Sequence, residues 1–465
     1  MSDAASDFRP RVIIEHGGQN SSFQFNWERG NSHVLGLDPI VEDLLSLLND
    51  WTAYCISSLD FIPSMSGFGF FIVDRAIKDG DIEFLTELSI SHEVIELEGD
   101  NGQRSSFTFH EEDLSEVAKR MDTTSQMLRA ARNVQRSSLT SLVSEFDHFM
   151  GRFLKICSRV KPDSFFDPSE TITIGELSKL GSVDDVIQSR VNKTIEDKLR
   201  GSHSNCIEWV FKKFSLEDNV GAFKKQKTYK EFLEVCQRRH IMAHNGGVAN
   251  EEYVNKCRSA GLKPEQHLAV NDQAVISARY LKRATARVYL NGFYMAQIFL
   301  QRSFPDAQKA AYSNLLSTSH DFLERDFTKM AMRVCDFAEH SKNNFEHELS
   351  LKFAVNKALS KLHDDALNET EQVEHATKIV ESYDWSVTTP VFDLALCCLK
   401  RDFANLTTLA TLASAAGLSY SDARTFVIFK EAREIDGFLE CFPRAPLLIA
   451  LEDGVQCSDD EHLDE

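Results

Sequence analysis

The sequence predicts a mainly α-helical protein: a small N-terminal α/β module, a central helical bundle and a C-terminal domain of short helices arranged like a helical repeat. Three observations support this fold class. Apolar residues recur at three- and four-residue spacing through most of the chain after residue 139. Signals that end helices, such as Lys161-Pro162 and Gly246-Gly247, separate the periodic segments. The 465 residues include 33 Phe but only 10 Pro, which favours well-packed helices.

The N-terminal module, residues 1–115, combines strand and helix patterns. Residues 12–14 and 23–27 alternate like strands about a Gly17-Gly18 turn. Residues 94–97 and 107–109 form a second such pair about a turn at 99–102. Between the two pairs, residues 40–56 have the apolar spacing of a helix, so the module is predicted to be α/β.

Residues 124–306 are predicted to form the helical bundle. Helices are expected at 139–157, 183–199, 205–214, 228–244 and 274–303. In the fourth helix Phe232, Leu233, Cys236, His240 and Ala243 form the predicted apolar stripe, and Asn245-Gly246-Gly247 ends the helix. Four or five helices with short connections are typical of a bundle.

After residue 306 the chain is again helical, followed by an acidic tail. The repeat-like domain, residues 307–450, is expected to hold helices at 323–339, 351–362, 373–383, 392–399, 406–412 and 426–438. No clean 34-residue period is present, which argues against a tetratricopeptide array. Repeat-like helical domains commonly bind proteins, so we expect a regulatory protein partner here. The tail, residues 451–465, has 7 acidic residues and no Lys or Arg.

Charge is uneven along the chain. The net charge of −20 argues against a protein that coats nucleic acid non-specifically. Residues 190–239, however, contain 12 Lys and Arg against 7 Asp and Glu. Within this stretch the candidate contacts to an RNA backbone are Lys212, Lys213, Lys224 and Lys225. A solvated helix face is the alternative explanation for each of these lysines.

Cysteine usage and hydropathy indicate the compartment. The ten cysteines are scattered, without a Cys-x-x-Cys pair or a disulfide-like spacing, which is typical of reduced thiols in a cytoplasmic protein. No apolar run approaches the length of a membrane span, and no secretory signal is visible at Met1. We therefore expect a cytoplasmic protein that does not enter a membrane.

The most informative motif is residues 238–247, Arg-Arg-His-Ile-Met-Ala-His-Asn-Gly-Gly, at the end of the fourth bundle helix. Arg239 is a permanent cation, and His244 titrates near neutrality. Together they can move a proton and stabilise developing negative charge on a phosphate without a metal. His240 lies between them in sequence, and Asn245 follows directly.

The spacing of Arg239, His240 and His244 resembles the Arg-x(4–6)-His motif of the HEPN superfamily, in the form with a polar residue after the arginine. Residues 141–147, the entry at 171–174 and Tyr253 are similar to HEPN proteins of bacterial defence and toxin type. The resemblance covers the bundle, and residues 384–395 and 429–433 resemble C-terminal repeats found attached to such proteins. It implies an RNA-cleaving enzyme whose catalytic pair is Arg239 and His244. Because the gap varies in this family, Arg238 is a rival for the catalytic arginine.

RNA supplies its own nucleophile, the 2′-hydroxyl beside the scissile phosphate. We expect His244 to remove its proton and Arg239 to bind the non-bridging oxygens, giving a 2′,3′-cyclic phosphate with no cofactor. Asn245 would orient the imidazole or the phosphate, and Arg238 and His240 would support the site. Glu145 and Asp147 of the first bundle helix are further candidates. His240 and His244 could ligate a metal from one helix face, but no third ligand is evident, so we expect none.

Five residues along a helix turn through about 500°, which leaves Arg239 and His244 about 140° apart. In the family that the motif resembles, two such motifs meet across a two-fold axis, and we therefore expect a homodimer. The RNA substrate, tRNA or mRNA, is left open, and the resemblance implies a toxin or antiphage defence effector. The alternative is a non-catalytic dimeric protein-binding or sensing module, in which Arg239 and His244 are structural.

Overall fold

The computed structural model describes residues 37–78, 81–96, 103–166, 169, 171–340, 346–386 and 388–444. This part of the chain is mainly helical with one small sheet, which confirms the predicted fold class at that level. The chain divides into two compact units, residues 1–314 and 315–465. The strands predicted at 12–14 and 23–27 and the acidic tail lie outside the described residues. Throughout the described ranges, no helix has both the length and the apolar character needed to cross a membrane.

Three long helices form the centre of the first unit: α1 (Pro39–Lys78), α3 (Leu114–Val160) and α10 (Ala278–Ser303). Trp51 of α1 stacks on Phe149 of α3 with ring centroids 4.8 Å apart, and its Nε1 donates a hydrogen bond to the Tyr289 carbonyl of α10, 3.0 Å away. A Cβ atom at Gly292 would lie 2.9 Å from both aromatic rings, so α10 needs glycine to approach this closely. The helix predicted at 40–56 is therefore part of α1 and packs within the bundle. This packing differs from the sequence prediction, which placed the helix in a separate N-terminal module.

The sheet is a two-stranded antiparallel hairpin preceded by α2 (Asp81–Leu88). Strand β1 (Ser89–Glu96) pairs with β2 (Gln103–Phe109), with Glu96 opposite Gln103. This confirms the strand pair predicted at 94–97 and 107–109. The predicted turn at 99–102 falls outside the described residues.

Among the described residues between α3 and α10 there are six shorter helices: α4 (Ile174–Leu180), α5 (Val183–Arg200), α6 (His203–Lys213), α7 (Glu217–Lys225), α8 (Lys227–His244) and α9 (Glu251–Ser259). The helices predicted at 183–199, 205–214 and 228–244 are confirmed with small changes at their ends. Helix α10 begins later than predicted because the Ser277 hydroxyl caps it, accepting a hydrogen bond from the Tyr280 amide at 3.1 Å.

The remaining helices are α11 (Gln308–Glu324), within which the division between units falls, α12 (Thr328–His340), α13 (His347–Leu362), α14 (Glu369–Glu381), α15 (Pro390–Lys400), α16 (Leu406–Ala415) and α17 (Tyr420–Thr425). The single helix predicted at 323–339 is wrong, because the chain breaks at Asp326, whose φ is 56°. The helix predicted at 426–438 is also wrong. This segment forms 3-10 turns that bury Phe429 and Phe438, while the Arg433 guanidinium donates to the Phe426 carbonyl at 2.9 Å.

Candidate functional site

Helix α8 carries the sequence motif, and the residues after it make a tight stop. Gly246 and Gly247 have φ values of 60° and 87°, in the left-handed region that ends helices. The Gly247 amide donates to the Ile241 carbonyl at 2.9 Å. Asn245, a predicted supporting residue, donates from Nδ2 to the Val248 carbonyl at 2.6 Å. Through this hydrogen bond the Asn245 side chain stabilises the turn.

The rival arginine, Arg238, lies in a buried polar network. Its Nε donates to Glu234 Oε1 at 2.7 Å, and the two side chains are 10% and 7% exposed. The hydroxyls of Tyr253 and Tyr280 donate to the same carboxylate at 2.7 Å and 2.9 Å. The Arg238 guanidinium also lies over the Tyr280 ring, 4.2 Å from its centroid. Arg238 is therefore committed to the packing of α8 against α9 and α10.

The network fixes the charges of its members. Burial and the Glu234 carboxylate raise the pKa of both tyrosines, so they stay protonated and continue to donate. Each of the two Glu234 oxygens accepts at least one hydrogen bond, as a buried carboxylate requires. Buried groups that are paired this completely are costly to disturb, because removing one member leaves the others unsatisfied.

The opposite side of α8 faces a cavity of about 650 Å³. Helices α3 and α5 to α9 contribute to its wall. The wall has six basic side chains but a single carboxylate, that of Asp147. The basic side chains in the wall are Arg200, His203, Lys224, Arg239, His240 and Lys256. Such a wall favours an anionic ligand.

Arg239 differs from the other cations of the cavity. Lys224, Arg200 and Lys256 pair with Glu208, Glu196 and Glu252 at 2.7, 3.3 and 2.7 Å. Among the described residues no acidic side chain pairs with Arg239, and its buried Nε has no hydrogen-bond partner. An unsatisfied buried donor costs about 1–3 kcal/mol, and an anion that accepts from it offsets that cost.

The two motif histidines occupy different surroundings. His240 lines the cavity, whereas His244 is exposed at the end of α8 and is not part of the cavity wall. Their ring centroids are 4.8 Å apart. Burial, followed by the nearby His244 and Lys256, lowers the pKa of His240, which favours a neutral ring that can accept a proton. His240 thus lies near both Arg239 and His244. The side chains of Arg239 and His244 themselves point away from α8 in different directions, as their spacing predicts.

A second constellation lies deeper in the same cavity. His203, the first residue of α6, contacts Asp147 of α3 through its Nε2, 2.8 Å from Oδ1, and Cys236 of α8 lines the same cavity. Burial by itself lowers the pKa of His203, but the Cys236 and Asp147 side chains raise it to about 10. The sequence interpretation placed Cys236 in an apolar stripe and did not identify His203. No local spacing predicts their contact, because it joins three helices.

The other predicted site residues are dispersed. Glu145 lies near Tyr54, whose pKa is raised mainly by burial and in part by this carboxylate, and it is not part of the cavity wall. Lys212 and Lys225 are exposed outside the cavity, and the Lys213 carbonyl accepts a hydrogen bond from Lys161 Nζ at 3.0 Å. Of the four lysines predicted from the sequence, Lys224 is therefore the one that lines the cavity.

Within the described ranges, one group of His, Cys, Asp or Glu side chains is close enough to hold a metal ion. It consists of His320, Asp321 and Glu324, in the second unit, and includes neither His240 nor His244. Comparison with known proteins gives no further guide: no protein-family model, curated protein or solved structure matches this chain significantly.

Proposed function

We propose that this protein is a metal-independent endoribonuclease whose catalytic pair is Arg239 and His244. The observation that carries the proposal is the position of Arg239: a cation without an acidic partner in the described structure, with a buried and unsatisfied Nε, in the wall of a basic cavity. A phosphodiester oxygen is the kind of acceptor that this donor lacks.

Arg239 would bind the non-bridging oxygens of the scissile phosphate as charge develops on them. One such donor is typically worth about 10²–10³ in rate. Lys256, also in the wall, adds positive charge beside the same space. The neighbouring phosphates of an RNA strand provide negative charge for Lys224 and Arg200, even though these side chains also pair with acids on the surface.

The histidines supply the proton acceptor. His244 would take the proton of the 2′-hydroxyl, whose oxygen bonds to the adjacent phosphorus as the bond from phosphorus to the 5′-oxygen breaks, and the leaving 5′-oxygen takes a proton from water. His240, 4.8 Å from His244 between ring centroids, lies between this base and the cavity, and its lowered pKa keeps it free of a competing proton at neutral pH. The products would be a 2′,3′-cyclic phosphate and a 5′-hydroxyl.

The same proposal includes a homodimer. His244 is exposed, whereas Arg239 faces the cavity, so one chain presents the two groups in different directions. A second copy related by a two-fold axis would place its own motif against the exposed histidine. Sedimentation at micromolar concentration tests this directly, since a fully active species of 52.7 kDa would contradict it.

The test of the proposed function is cleavage of tRNA and of a short single-stranded RNA in the presence of EDTA. We expect cleavage with cyclic-phosphate ends, and no cleavage of the same oligonucleotide when the 2′-hydroxyl at the cut position is replaced by hydrogen. His244→Ala should reduce the rate by about 10²–10⁴, as loss of a general base does.

The matched control is His148→Ala, which removes an exposed histidine of α3 that is not part of the cavity wall. It should leave cleavage unchanged. Cleavage that EDTA abolishes, or that survives in His244→Ala at the wild-type rate, would contradict the proposal. Binding of RNA without cleavage in any of these samples would favour a non-catalytic binding module.

A further inference from the structure

Three arginines lie on one face of the N-terminal half of α3. Arg129, Arg132 and Arg136 are separated by three and then four residues, so their side chains leave the helix within a sector of about 60°. Arg129 and Arg136 are about 10 Å apart along the helix axis. These three residues are called the arginine stripe below.

The stripe carries charge that the described part of the protein does not neutralise. Arg129 and Arg132 are exposed, and no guanidinium group of the stripe has an acidic partner among the described residues. In the C-terminal half of the same helix, by contrast, Arg152 pairs with Asp50 of α1 at 2.8 Å. Toward the start of α3 the stripe ends at Asp122, seven residues before Arg129. The unpaired charge is therefore confined to one short surface that favours an anion.

The other end of the stripe reaches the end of α8. Arg136 Nη2 donates a hydrogen bond to the Met242 carbonyl at 3.3 Å. The last carbonyls of a helix have no partner within the helix, and the helix dipole favours a cation beside them. His244, the proposed general base, is exposed two residues further along the chain. The stripe therefore begins at the end of α8 that carries His244 and extends from there along α3.

We propose that the arginine stripe binds the backbone of a single-stranded RNA segment next to the cleavage site, with successive phosphates at Arg136, Arg132 and Arg129. The proposal rests on the proposed ribonuclease function for the position of the cleavage site. It adds the surface that holds the substrate beyond the scissile phosphate, which the cavity by itself does not define.

The chemistry of the stripe fits a chain of phosphates. A planar guanidinium can bind two phosphate oxygens at once, whereas a lysine acts as a point charge. Arg136 keeps further N–H groups for a phosphate while one of them donates to Met242. Contacts of this kind position a strand without reading its bases. An acidic protein segment also carries repeated charge, but the position of His244 at one end favours RNA, because RNA alone is a substrate for that group.

The first test measures binding without cleavage. Arg129→Gln combined with Arg132→Gln removes the two exposed charges and leaves the contact between Arg136 and Met242 in place. The probe is a fluorescent 2′-O-methyl RNA oligonucleotide, which has no free 2′-hydroxyl and cannot be cleaved. We expect the dependence of log K on log salt to become less steep by about 1.4, since each phosphate contact on a single strand contributes about 0.7. At about 0.1 M salt this is about 25-fold weaker binding, and near 1 M the two proteins should bind alike.

The matched control is Lys155→Gln combined with Arg302→Gln, which changes the net charge by the same amount. Both side chains are exposed, on α3 and α10. Lys155 is about 28 Å from Arg136 along the axis of α3, and Phe299 of α10 packs on Phe153 of α3, so Arg302 lies toward that same end of the bundle. This variant should bind the probe as the wild type does. An equal loss in the control would show that net charge and not the stripe determines binding, and would overturn the proposal.

The second test separates the stripe from the catalytic groups. A dinucleoside monophosphate has a single phosphate, so it cannot occupy the cleavage site and the stripe together. The Arg129 and Arg132 double variant should cleave it at the wild-type rate. With a longer RNA the same variant should need about 25-fold more RNA to reach half of an unchanged maximal rate. His244→Ala should show the reverse, with wild-type affinity for the 2′-O-methyl probe and loss of cleavage of both substrates.

Two further results would overturn the proposal. One is an unchanged salt dependence in the Arg129 and Arg132 double variant. The other is displacement of the probe by a polyglutamate peptide as effectively as by RNA of equal charge, which would assign the stripe to an acidic protein partner. A wild-type protein that binds the probe with the expected salt dependence but cleaves no RNA would contradict the proposed ribonuclease and still support the stripe as an RNA-binding surface.

Discussion

Arg238 and Arg239 are adjacent in the chain, but the two sides of α8 on which they lie differ in how fully their polar groups are paired. On one side, Arg238, Glu234, Tyr253 and Tyr280 satisfy one another in the core. On the other, Arg239 faces a basic cavity with a buried donor that has no partner among the described residues. Helix α8 thus carries one arginine whose charge is paired inside the fold and one whose charge has no acidic partner among the described residues.

The comparison shows why spacing alone did not choose between the two arginines. Both fit a variable Arg-x(4–6)-His gap, and both lie one turn or more before His244. Burial and pairing distinguish them. Arg238 already has a buried carboxylate as its ion-pair partner and hydrogen-bond acceptor, so an RNA phosphate would add little stabilisation there. Arg239 lacks such a neighbour and remains the candidate for phosphate binding.

The largest expected effect is on the paired side. Glu234→Ala would leave the Arg238 guanidinium buried without its carboxylate and the hydroxyls of Tyr253 and Tyr280 without their acceptor. We expect the free energy of unfolding to fall by about 3–5 kcal/mol, measured by urea denaturation. Glu196→Ala is the control, because it breaks an exposed pair with Arg200 at the same helical spacing and should cost about 0.3–0.5 kcal/mol. Equal losses in the two variants would remove the distinction between the buried and the exposed pair.

A smaller effect is expected at the stop of α8. Gly247 has a φ of 87°, and a Cβ atom there would lie 2.8 Å from Gln273 Nε2. Because both Gln273 and Met242 can move, the backbone strain dominates, and Gly247→Ala should lower the free energy of unfolding by about 1–2 kcal/mol. Gly221→Ala, in α7 with no atom within 4 Å, should instead raise it by about 0.5–1 kcal/mol. A neutral Gly247→Ala would mean that the helix end is not held as described.

The dependence of stability on pH is expected to reflect His203. Its folded-state pKa of about 10 lies above the value of about 6.5 expected in the unfolded chain. A raised pKa of a basic group stabilises the fold fully below pH ~6.5, and this contribution is lost as pH rises toward ~10. Urea unfolding at a series of pH values should therefore show a steeper decline for wild type than for His203→Asn over this interval. Parallel curves would contradict the interaction of His203 with Cys236 and Asp147.

Local signals account for the elements that the sequence predicted well. Helix α8 was predicted at 228–244 and is found at Lys227–His244, because Asn245-Gly246-Gly247 is a strong stop. The hairpin followed from alternation about a turn. By contrast, the prediction missed the packing of α1 into the bundle, since Trp51 contacts Tyr289 far along the chain. Periodicity identifies an apolar helix face but not the element that covers it.

The candidate site shows the same limit. Arg239, His240 and His244 were identified because they are close in sequence, and the structure keeps His240 near both. His203 and Cys236 were missed because their interaction joins α6 and α8, and a cysteine among apolar residues has the pattern of a core residue. The assignment of Arg238 to the core likewise needed Tyr253 and Tyr280, which the sequence does not link to it.

The central claim, that the unpaired side of α8 acts while the paired side holds the fold, is tested most directly by Arg238→Gln and Arg239→Gln compared in the same preparations. The measurement is the single-turnover rate of RNA cleavage in EDTA, read beside the urea midpoint of each sample. We expect Arg239→Gln to keep or raise the wild-type urea midpoint, because it removes a buried donor that has no partner, and to lose about 10²–10³ in rate. Arg238→Gln should lose stability, and its folded fraction should still cleave RNA. An Arg239→Gln protein that cleaves at the wild-type rate, or that unfolds as readily as Arg238→Gln, would contradict the account.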